Sequence, residues 1–266
     1  MSIKIISNWS NCGGSTTSFI NLTNEFNKRD IECCFYGPHD WHLDKCNAKK
    51  QSEFNYNKND VIITHFIKHE NRYDCKKFIL SCHETELYPL KKINYKIFDN
   101  IHFVSENQYK WHNINVKHFI LPNIHESILT LSHKKPKVKV GGIIGNINPN
   151  KNIDISIDKA LEDNCEYILI FGKITDKKYW NDIIKKKIDE LIIKNVKIMF
   201  MNYQNDKQIM YDCLTDVYNY SKSETWSYIE GECKITGTNY HSDLISNYTF
   251  METDTIINTW RNILNV

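Results

Sequence analysis

The amino-terminal sequence IKIISNWSNCGGSTTSFINLTNEFN, residues 3–27, carries the signals of a strand, a loop and a helix in that order. Ile3–Ser7 has the short apolar pattern of a buried β-strand, and from about Thr16 to Asn27 apolar side chains recur at helical spacing. The loop between them contains Gly13 and Gly14. A strand that leads through a loop into a helix is the repeating unit of a parallel sheet covered by helices.

This alternation of short apolar and amphipathic stretches continues along the chain and predicts an α/β fold. The predicted strands are Ile3–Ser7, Cys33–Tyr36, Val61–Thr64, Phe78–Ser81, Ile101–Val104, Phe119–Leu121, Val138–Ile144, Tyr167–Phe171, Val196–Met201 and Asp216–Tyr218. The predicted helices are Thr16–Asn27, Asn107–His112, Ile153–Leu161, Lys178–Ile193, Asp206–Leu214, Tyr228–Ile235 and Thr253–Leu264.

A polar, proline-containing connector, SHKKPK at residues 132–137, separates two such patterns. The sequence therefore predicts two Rossmann-like domains, at residues 1–133 and 134–252, with a closing helix at residues 253–266.

Composition favours a globular protein and gives little support to several functional classes. The chain has 266 residues with 34 Lys and Arg against 32 Asp and Glu, a net charge of +2, so no strong field indicates nucleic acid or an anionic membrane. No apolar run approaches the roughly 18–20 residues of a membrane span, and the amino terminus lacks a signal-peptide pattern. We expect a cytoplasmic protein without a membrane span, leaving peripheral membrane contact open.

The nine cysteines include no C-x-x-C pair. Several lie within apolar stretches, where a free cysteine behaves as a small core residue. The spacing favours structural thiols over a disulfide framework or a zinc site.

Two stretches contain candidate binding residues. Gly13-Gly14-Ser15 precedes a helix, and glycines with a helix N-terminus can bring backbone N–H groups close to a phosphate; the alternative is a tight turn with a helix cap. Glu224 and Glu232 are eight positions apart across a loop–helix junction. A carboxylate accepts hydrogen bonds from vicinal hydroxyls, as in a sugar or a ribose, although a solvated acidic face has the same spacing.

The order of weak motifs along residues 1–240 resembles that of retaining GT-B glycosyltransferases of the family 4 type. The matching stretches are Gly13-Gly14-Ser15, Phe103–Glu106, Leu121–Ile124, Gly145–Asn152, Leu169–Gly172, Tyr220–Glu224 and Glu232–Thr238.

The resemblance implies a role for each matched residue. Gly13, Gly14 and Ser15 would lie against the donor diphosphate, and Lys151 would neutralise it as it leaves. Glu224 would orient the donor sugar, and Glu232 would bind the nucleotide ribose. His83, in Ser81-Cys82-His83-Glu84, matches the family's active-site histidine. His65 matches a second cleft histidine, and Trp226 and Tyr228 are further cleft candidates.

The chain departs from the family pattern at three places. Asn146 stands where the family has an arginine beside the phosphate lysine, and Lys173 is a candidate substitute for that charge. Gly237-Thr238-Asn239-Tyr240 lacks the family's proline. Few residues follow Glu232, which implies a shortened second domain.

The resemblance implies a GT-B fold with two domains facing a central cleft, the first on the acceptor side and the second binding the donor. It also implies transfer of a hexosyl group from a UDP- or GDP-sugar to a carbohydrate or other hydroxyl acceptor, with retention of configuration. No metal or cofactor is expected, since Lys151 and backbone amides would stabilise the leaving diphosphate and no Asp-x-Asp motif is present.

Two alternatives stay open: a non-catalytic nucleotide-sugar or glycan-binding module, and another twin-Rossmann enzyme such as a sugar-nucleotide epimerase. Tryptophans that could stack on sugars, although packing is the simpler role for each, are Trp41, Trp111, Trp180 and Trp226.

Overall fold

A computed structural model describes residues 1–67, 69, 71–83, 93–125, 129–132, 134–246 and 248–266. The chain forms two compact units, Met1–Glu126 with Asn247–Val266, and Ser127–Ser246. The predicted domain limits at 133/134 and 252/253 stay predictions. Two residues of the quoted motifs, Glu84 and His133, lie outside the described residues. None of the described helices is long and apolar enough to cross a bilayer.

The strands are β1 (Ile3–Ser7), β2 (Cys33–Gly37), β3 (Ala48–Lys50), β4 (Val61–His65), β5 (Lys77–Cys82), β6 (Asn100–Phe103), β7 (His118–Ile120), β8 (Val140–Ile144), β9 (Tyr167–Phe171), β10 (Lys197–Asn202), β11 (Asp216–Tyr218) and β12 (Asn239–His241). The α-helices are α1 (Gly14–Asn27), α2 (Glu106–His112), α3 (Ile153–Glu162), α4 (Lys177–Tyr179), α5 (Lys185–Ile193), α6 (Lys207–Asp212), α7 (Tyr228–Thr236) and α8 (Thr253–Leu264). A π-helical turn, Trp180–Ile184, joins α4 to α5, and short 3-10 turns occur at Asp40–His42, Gln51–Glu53, Tyr95–Ile97 and Pro149–Lys151.

The first unit contains a parallel seven-stranded sheet in the order β3-β2-β1-β4-β5-β6-β7. Strand order reverses between β1 and β4, where Ser7 is in register with His65. In open α/β sheets this reversal opens a crevice at the carboxyl ends of the strands, which is where ligands bind.

Helices α1 and α8 pack on the same apolar cluster of the first sheet. Helix α1 buries Phe19 and Phe26 at helical spacing, and α8 buries Ile257 and Trp260. Each such side chain contributes roughly 1.5–3 kcal/mol on burial. The predicted closing helix therefore has the expected bounds and belongs to the first unit.

The second unit repeats this topology on a smaller scale. Its parallel sheet has five strands in the order β10-β9-β8-β11-β12, so the reversal lies between β8 and β11. Helices α3 and α5 pack on one apolar cluster of this unit, and α6 and α7 contribute to another.

The predicted strands and helices are present with their ends shifted by at most two residues, but two strands were missed. Ala48–Lys50 and Asn239–His241 are three-residue edge strands without an apolar alternation. All nine cysteines are free, as the spacing predicted.

Candidate functional site

Two glycines shape the carboxyl edge of the second sheet. Gly145 follows β8, and its N–H donates to the carbonyl oxygen of Phe171 at 2.9 Å. Gly172 follows β9 at φ +159°, and a Cβ there would overlap the carbonyl oxygen of Gly145. Position 172 must therefore remain glycine if the two loops are to lie this close.

Lys151 is fixed by the loop between β8 and α3. The Asn148 side chain accepts from the N–H of Asn150 at 3.0 Å, and Asn152, at φ +43°, donates from Nδ2 to the Tyr220 carbonyl at 3.1 Å. The Lys151 ammonium forms an ion pair with Glu224 Oε1.

The Lys151–Glu224 pair occupies the reversal point of the second sheet, because the two residues follow the neighbouring strands β8 and β11. Their side chains are 26% and 19% exposed, so both charges remain accessible to a ligand. The structure therefore brings together a cation suited to phosphate and a carboxylate suited to hydroxyl groups.

Glu232 lies on α7 and is buried. Lys207 Nζ donates to its Oε1 at 2.8 Å, and the Tyr211 hydroxyl donates to its Oε2 at 2.7 Å. Burial and the neighbouring Glu232 carboxylate raise the pKa of Tyr211 well above its ordinary value. Helix α6 thus holds the Glu232 carboxylate in place, since each of its oxygens accepts a hydrogen bond from a side chain of that helix.

The remaining candidates of the second unit have other neighbours. The exposed Lys173 places its ammonium 5.1 Å from the centre of the Tyr203 ring. Asn146 is partly buried in the loop after β8. Trp226 is buried and meets the ring of Tyr228 edge-on at 4.8 Å. The donor roles of Lys173 and Asn146 and the cleft positions of Trp226 and Tyr228 stay predictions.

In the first unit, the glycine-containing loop lies between β1 and α1. Gly14 is the first residue of α1, and the N–H of Thr17 donates to the Gly13 carbonyl at 3.0 Å. No acidic side chain lies in the first helical turn, so its positive end is not neutralised locally. The phosphate contact predicted for Gly13, Gly14 and Ser15 stays a prediction.

His83, one of the two predicted histidines, belongs to a hydrogen-bonded series of side chains at the carboxyl ends of β5 and β6. His102 Nε2 donates to the Leu121 carbonyl at 2.8 Å, because a carbonyl can only accept. In the neutral ring Nδ1 is then the acceptor, so the Ser81 hydroxyl donates to it at 2.8 Å. Ser81 Oγ in turn accepts from His83 Nε2 at 3.1 Å. These hydrogen bonds therefore place the proton of neutral His83 on Nε2.

Burial keeps these histidines neutral. It lowers the pKa of His102 to about 4, and burial together with the neighbouring His65 and His102 holds the pKa of His83 well below its ordinary value. The rings of His65 and His83 are 5.3 Å apart, and Phe19 packs against both. The structure thus places the two predicted histidines next to each other and against the ring of Phe19.

Sequence reasoning missed four partners of the candidate residues. Lys207 and Tyr211 lie four positions apart on α6, and that spacing alone predicts a shared helix face. Ser81 and His102 lie on neighbouring strands, and their pairing follows from the register of β5 and β6. No signal in a single sequence links α6 to Glu232.

No protein-family model and no curated protein matches the sequence, whereas solved structures do. HepE from Anabaena, in complex with UDP-glucose, is 11% identical, with a TM-score of 0.69 over 100% of this chain and 89% of that chain. Sucrose-phosphate synthase from Thermosynechococcus elongatus is 10% identical, with a TM-score of 0.70 over 100% and 90%. A glycosyltransferase from Rickettsia africae is 12% identical, with a TM-score of 0.68 over 99% and 88%.

At these identities the likeness establishes the fold. The two parallel sheets with helices on their faces are those of a GT-B glycosyltransferase fold, and the match covers the whole chain. The predicted fold of two Rossmann-like domains is confirmed.

Proposed function

We propose that this chain is a glycosyltransferase. It moves a hexose from a nucleoside diphosphate donor to a hydroxyl group of an acceptor. One observation carries the proposal: the Lys151–Glu224 ion pair lies at the reversal point of the second sheet. Ligands of open α/β sheets bind at this point. The similar HepE structure holds UDP-glucose, which supports a nucleotide sugar as the donor class.

Donor binding exchanges the partner of Lys151. In this structure its ammonium is paired with Glu224. A diphosphate carries more negative charge than a carboxylate, so Lys151 moves its contact to the phosphate oxygens. Glu224 is then released as an acceptor for the hydroxyls of the donor sugar, and each side chain recognises one part of the donor.

Glu232 binds the ribose of the nucleotide. Each of its carboxylate oxygens accepts from one protein donor, Lys207 or Tyr211, and retains a further lone pair. Two vicinal ribose hydroxyls match that remaining capacity. Because α6 already holds the carboxylate, little side-chain entropy is lost when the ribose binds.

Positive charge of the protein drives departure of the diphosphate. Lys151 stabilises the charge that develops on the leaving group, and such preorganised groups contribute most when they act on the transition state. Lys173 and backbone N–H groups supply further stabilisation, which makes the reaction independent of a divalent metal. Retention of configuration, as in the family 4 type, completes this proposal.

The first unit supplies the acceptor side. Its strand ends carry the neutral His83 and, with its ring 5.3 Å away, His65. A neutral imidazole can accept a hydrogen bond from a sugar hydroxyl without the cost of removing a charge from water.

A binding module without catalysis is the second candidate. It is favoured by Asn146, which leaves one positive charge fewer beside the diphosphate than an arginine would. Both candidates predict that nucleotide sugars bind.

Turnover separates the two candidates. The experiment incubates the protein with a panel of UDP- and GDP-sugars and measures release of the nucleoside diphosphate, with and without mixed saccharide acceptors. A glycosyltransferase releases nucleotide faster with an acceptor, and Lys151→Met lowers that release about 100-fold. Binding without release in the wild type would favour the module.

A further inference from the structure

Two exposed aromatic side chains follow the strands that flank the reversal point of the first sheet. Ser7 of β1 is in register with His65 of β4. Trp9 comes two residues after Ser7 and is 43% exposed, and Phe66 comes directly after His65 and is 46% exposed. Large aromatic side chains are normally buried for the area they remove from water, so two exposed rings at a ligand-binding position need a reason.

The backbone of Trp9 is held in place. Ser7 Oγ accepts from the Trp9 N–H at 2.9 Å and donates to the Trp9 carbonyl at 2.7 Å. The next residue, Ser10, is fully buried; its hydroxyl accepts from the His39 N–H at 2.8 Å and donates to the His39 carbonyl at 3.1 Å. The indole meets the His39 ring edge-on at 5.9 Å. The exposed ring is therefore preorganised.

Phe66 is exposed at a cost in backbone energy. Its φ of +54° lies in the left-handed region, which a bulky residue enters rarely. Such strain persists where the surroundings enforce it, and it concentrates at functional sites. The ring lies 5.9 Å from that of His65, whose Nδ1 is 2.8 Å from Ser7 Oγ. Ser7 thus contacts both the Trp9 backbone and the residue before Phe66.

We propose that Trp9 and Phe66 form a platform that binds a pyranose ring of the acceptor. The apolar C–H face of a sugar packs on aromatic rings, while its hydroxyls need polar partners at the rim. Here the rim has His39 and the Asn8 side chain, whose Oδ1 accepts from Gln51 Nε2 at 2.7 Å. Aromatic walls with a few placed polar groups are typical of small-molecule sites. The acceptor role of this platform rests on the proposed function, whereas sugar binding itself can be measured separately.

The experiment is saturation-transfer NMR on the full chain with the methyl glycosides of glucose, galactose, mannose and N-acetylglucosamine. We expect saturation of the ring C–H protons of at least one glycoside. Trp9→Ala and Phe66→Ala should each weaken its binding about tenfold. The matched control is Trp111→Ala, because Trp111 is also an exposed tryptophan of this unit, on α2; it should bind as the wild type does.

A second pair of measurements guards against loss of folding. Trp9→Tyr keeps an aromatic ring and should retain most of the binding, and thermal unfolding of every variant is compared with that of the wild type. The platform is overturned if no glycoside receives saturation, or if Trp9→Ala and Phe66→Ala bind as tightly as Trp111→Ala. Titration of the wild type with UDP tests the donor proposal independently of the platform.

Discussion

The two sheets reverse their strand order in the same way, but one has a charged pair of side chains at the reversal point and the other has a hydroxyl and an imidazole. In the second sheet the residues after β8 and β11 form a charged pair, Lys151 and Glu224. In the first sheet the ends of β1 and β4 carry a hydroxyl and an imidazole, Ser7 and His65, 2.8 Å apart. The topology therefore selects the position of a site, and the side chains at the strand ends select its ligand.

This contrast matches the two halves of a glycosyl transfer. A diphosphate donor needs fixed positive charge and carboxylate acceptors, whereas an acceptor sugar needs neutral hydrogen-bonding groups and apolar surface.

Removal of the cation at the second reversal point should have the largest effect. Lys151→Met should lower turnover of a nucleotide sugar about 100-fold, with a smaller change in ground-state binding, because the leaving diphosphate gains charge in the transition state. Steady-state kinetics of nucleotide release measures both quantities. Lys173→Met measures the share of the second lysine; its ammonium is exposed above the Tyr203 ring, and we expect a smaller loss of about 10-fold or less. Equal losses in both variants would show that Lys173 supplies the charge missing at Asn146.

The carboxylate on α7 should affect binding of the nucleotide. Glu232→Gln should raise the Kd for UDP or GDP about 10- to 100-fold, since hydrogen bonds to a charged group contribute roughly 1.5–3 kcal/mol. Calorimetric titration with the bare nucleoside diphosphate measures it. Glu230→Gln is the control, because Glu230 is also buried on α7 and pairs with Lys234 at 2.7 Å. An unchanged Kd for Glu232→Gln would remove this residue from the site.

The neutral histidines of the first sheet should make that unit sensitive to acid. The pKa of His102 is about 4 in the folded protein, below the ordinary 6.5, so the unfolded chain binds more protons below pH 6.5. The free energy of unfolding should therefore fall by about 2 kcal/mol from this group between pH 7 and pH 5.

Urea unfolding at the two pH values measures this loss. His102→Gln should reduce the difference between them, while His118→Gln, which replaces a partly buried histidine on β7, should leave it as in the wild type. If His102→Gln shows the same difference as the wild type, protonation of His102 does not limit stability in acid.

The smallest effect is expected from removal of metal ions. Nucleotide release should be unchanged in EDTA, because Lys151 and backbone N–H groups stabilise the leaving diphosphate in our account. Loss of activity in EDTA with recovery in Mg²⁺ or Mn²⁺ would contradict this account of the charged side.

The sequence predicted the elements of the fold because they depend on local periodicity. Ten strands and the main helices follow from apolar spacing, including Thr253–Leu264 with its buried face. The edge strands Ala48–Lys50 and Asn239–His241 were not predicted, since short edge strands lack an apolar pattern and are defined by their pairing.

The residues of the candidate site could be predicted only where the order of motifs along the sequence matched that of the family. Lys151 and Glu224 were proposed separately, and the structure shows that they touch. The partners of Glu232 depend on how α6 packs beside α7, and the chain from His83 to His102 depends on strand register. Such contacts join residues distant in sequence, so no local pattern records them.

Hydrogen–deuterium exchange with and without UDP-glucose or GDP-mannose tests the central claim most directly, because it locates the donor. We predict slower exchange in residues 145–152 and 219–232, around the charged reversal point of the second sheet, with the protection largely lost in Glu232→Gln at a nucleotide-sugar concentration near the wild-type Kd. Protection confined to residues 8–10 and 65–67 of the first sheet, or no protection by either nucleotide sugar, would contradict the assignment of the donor to the charged site.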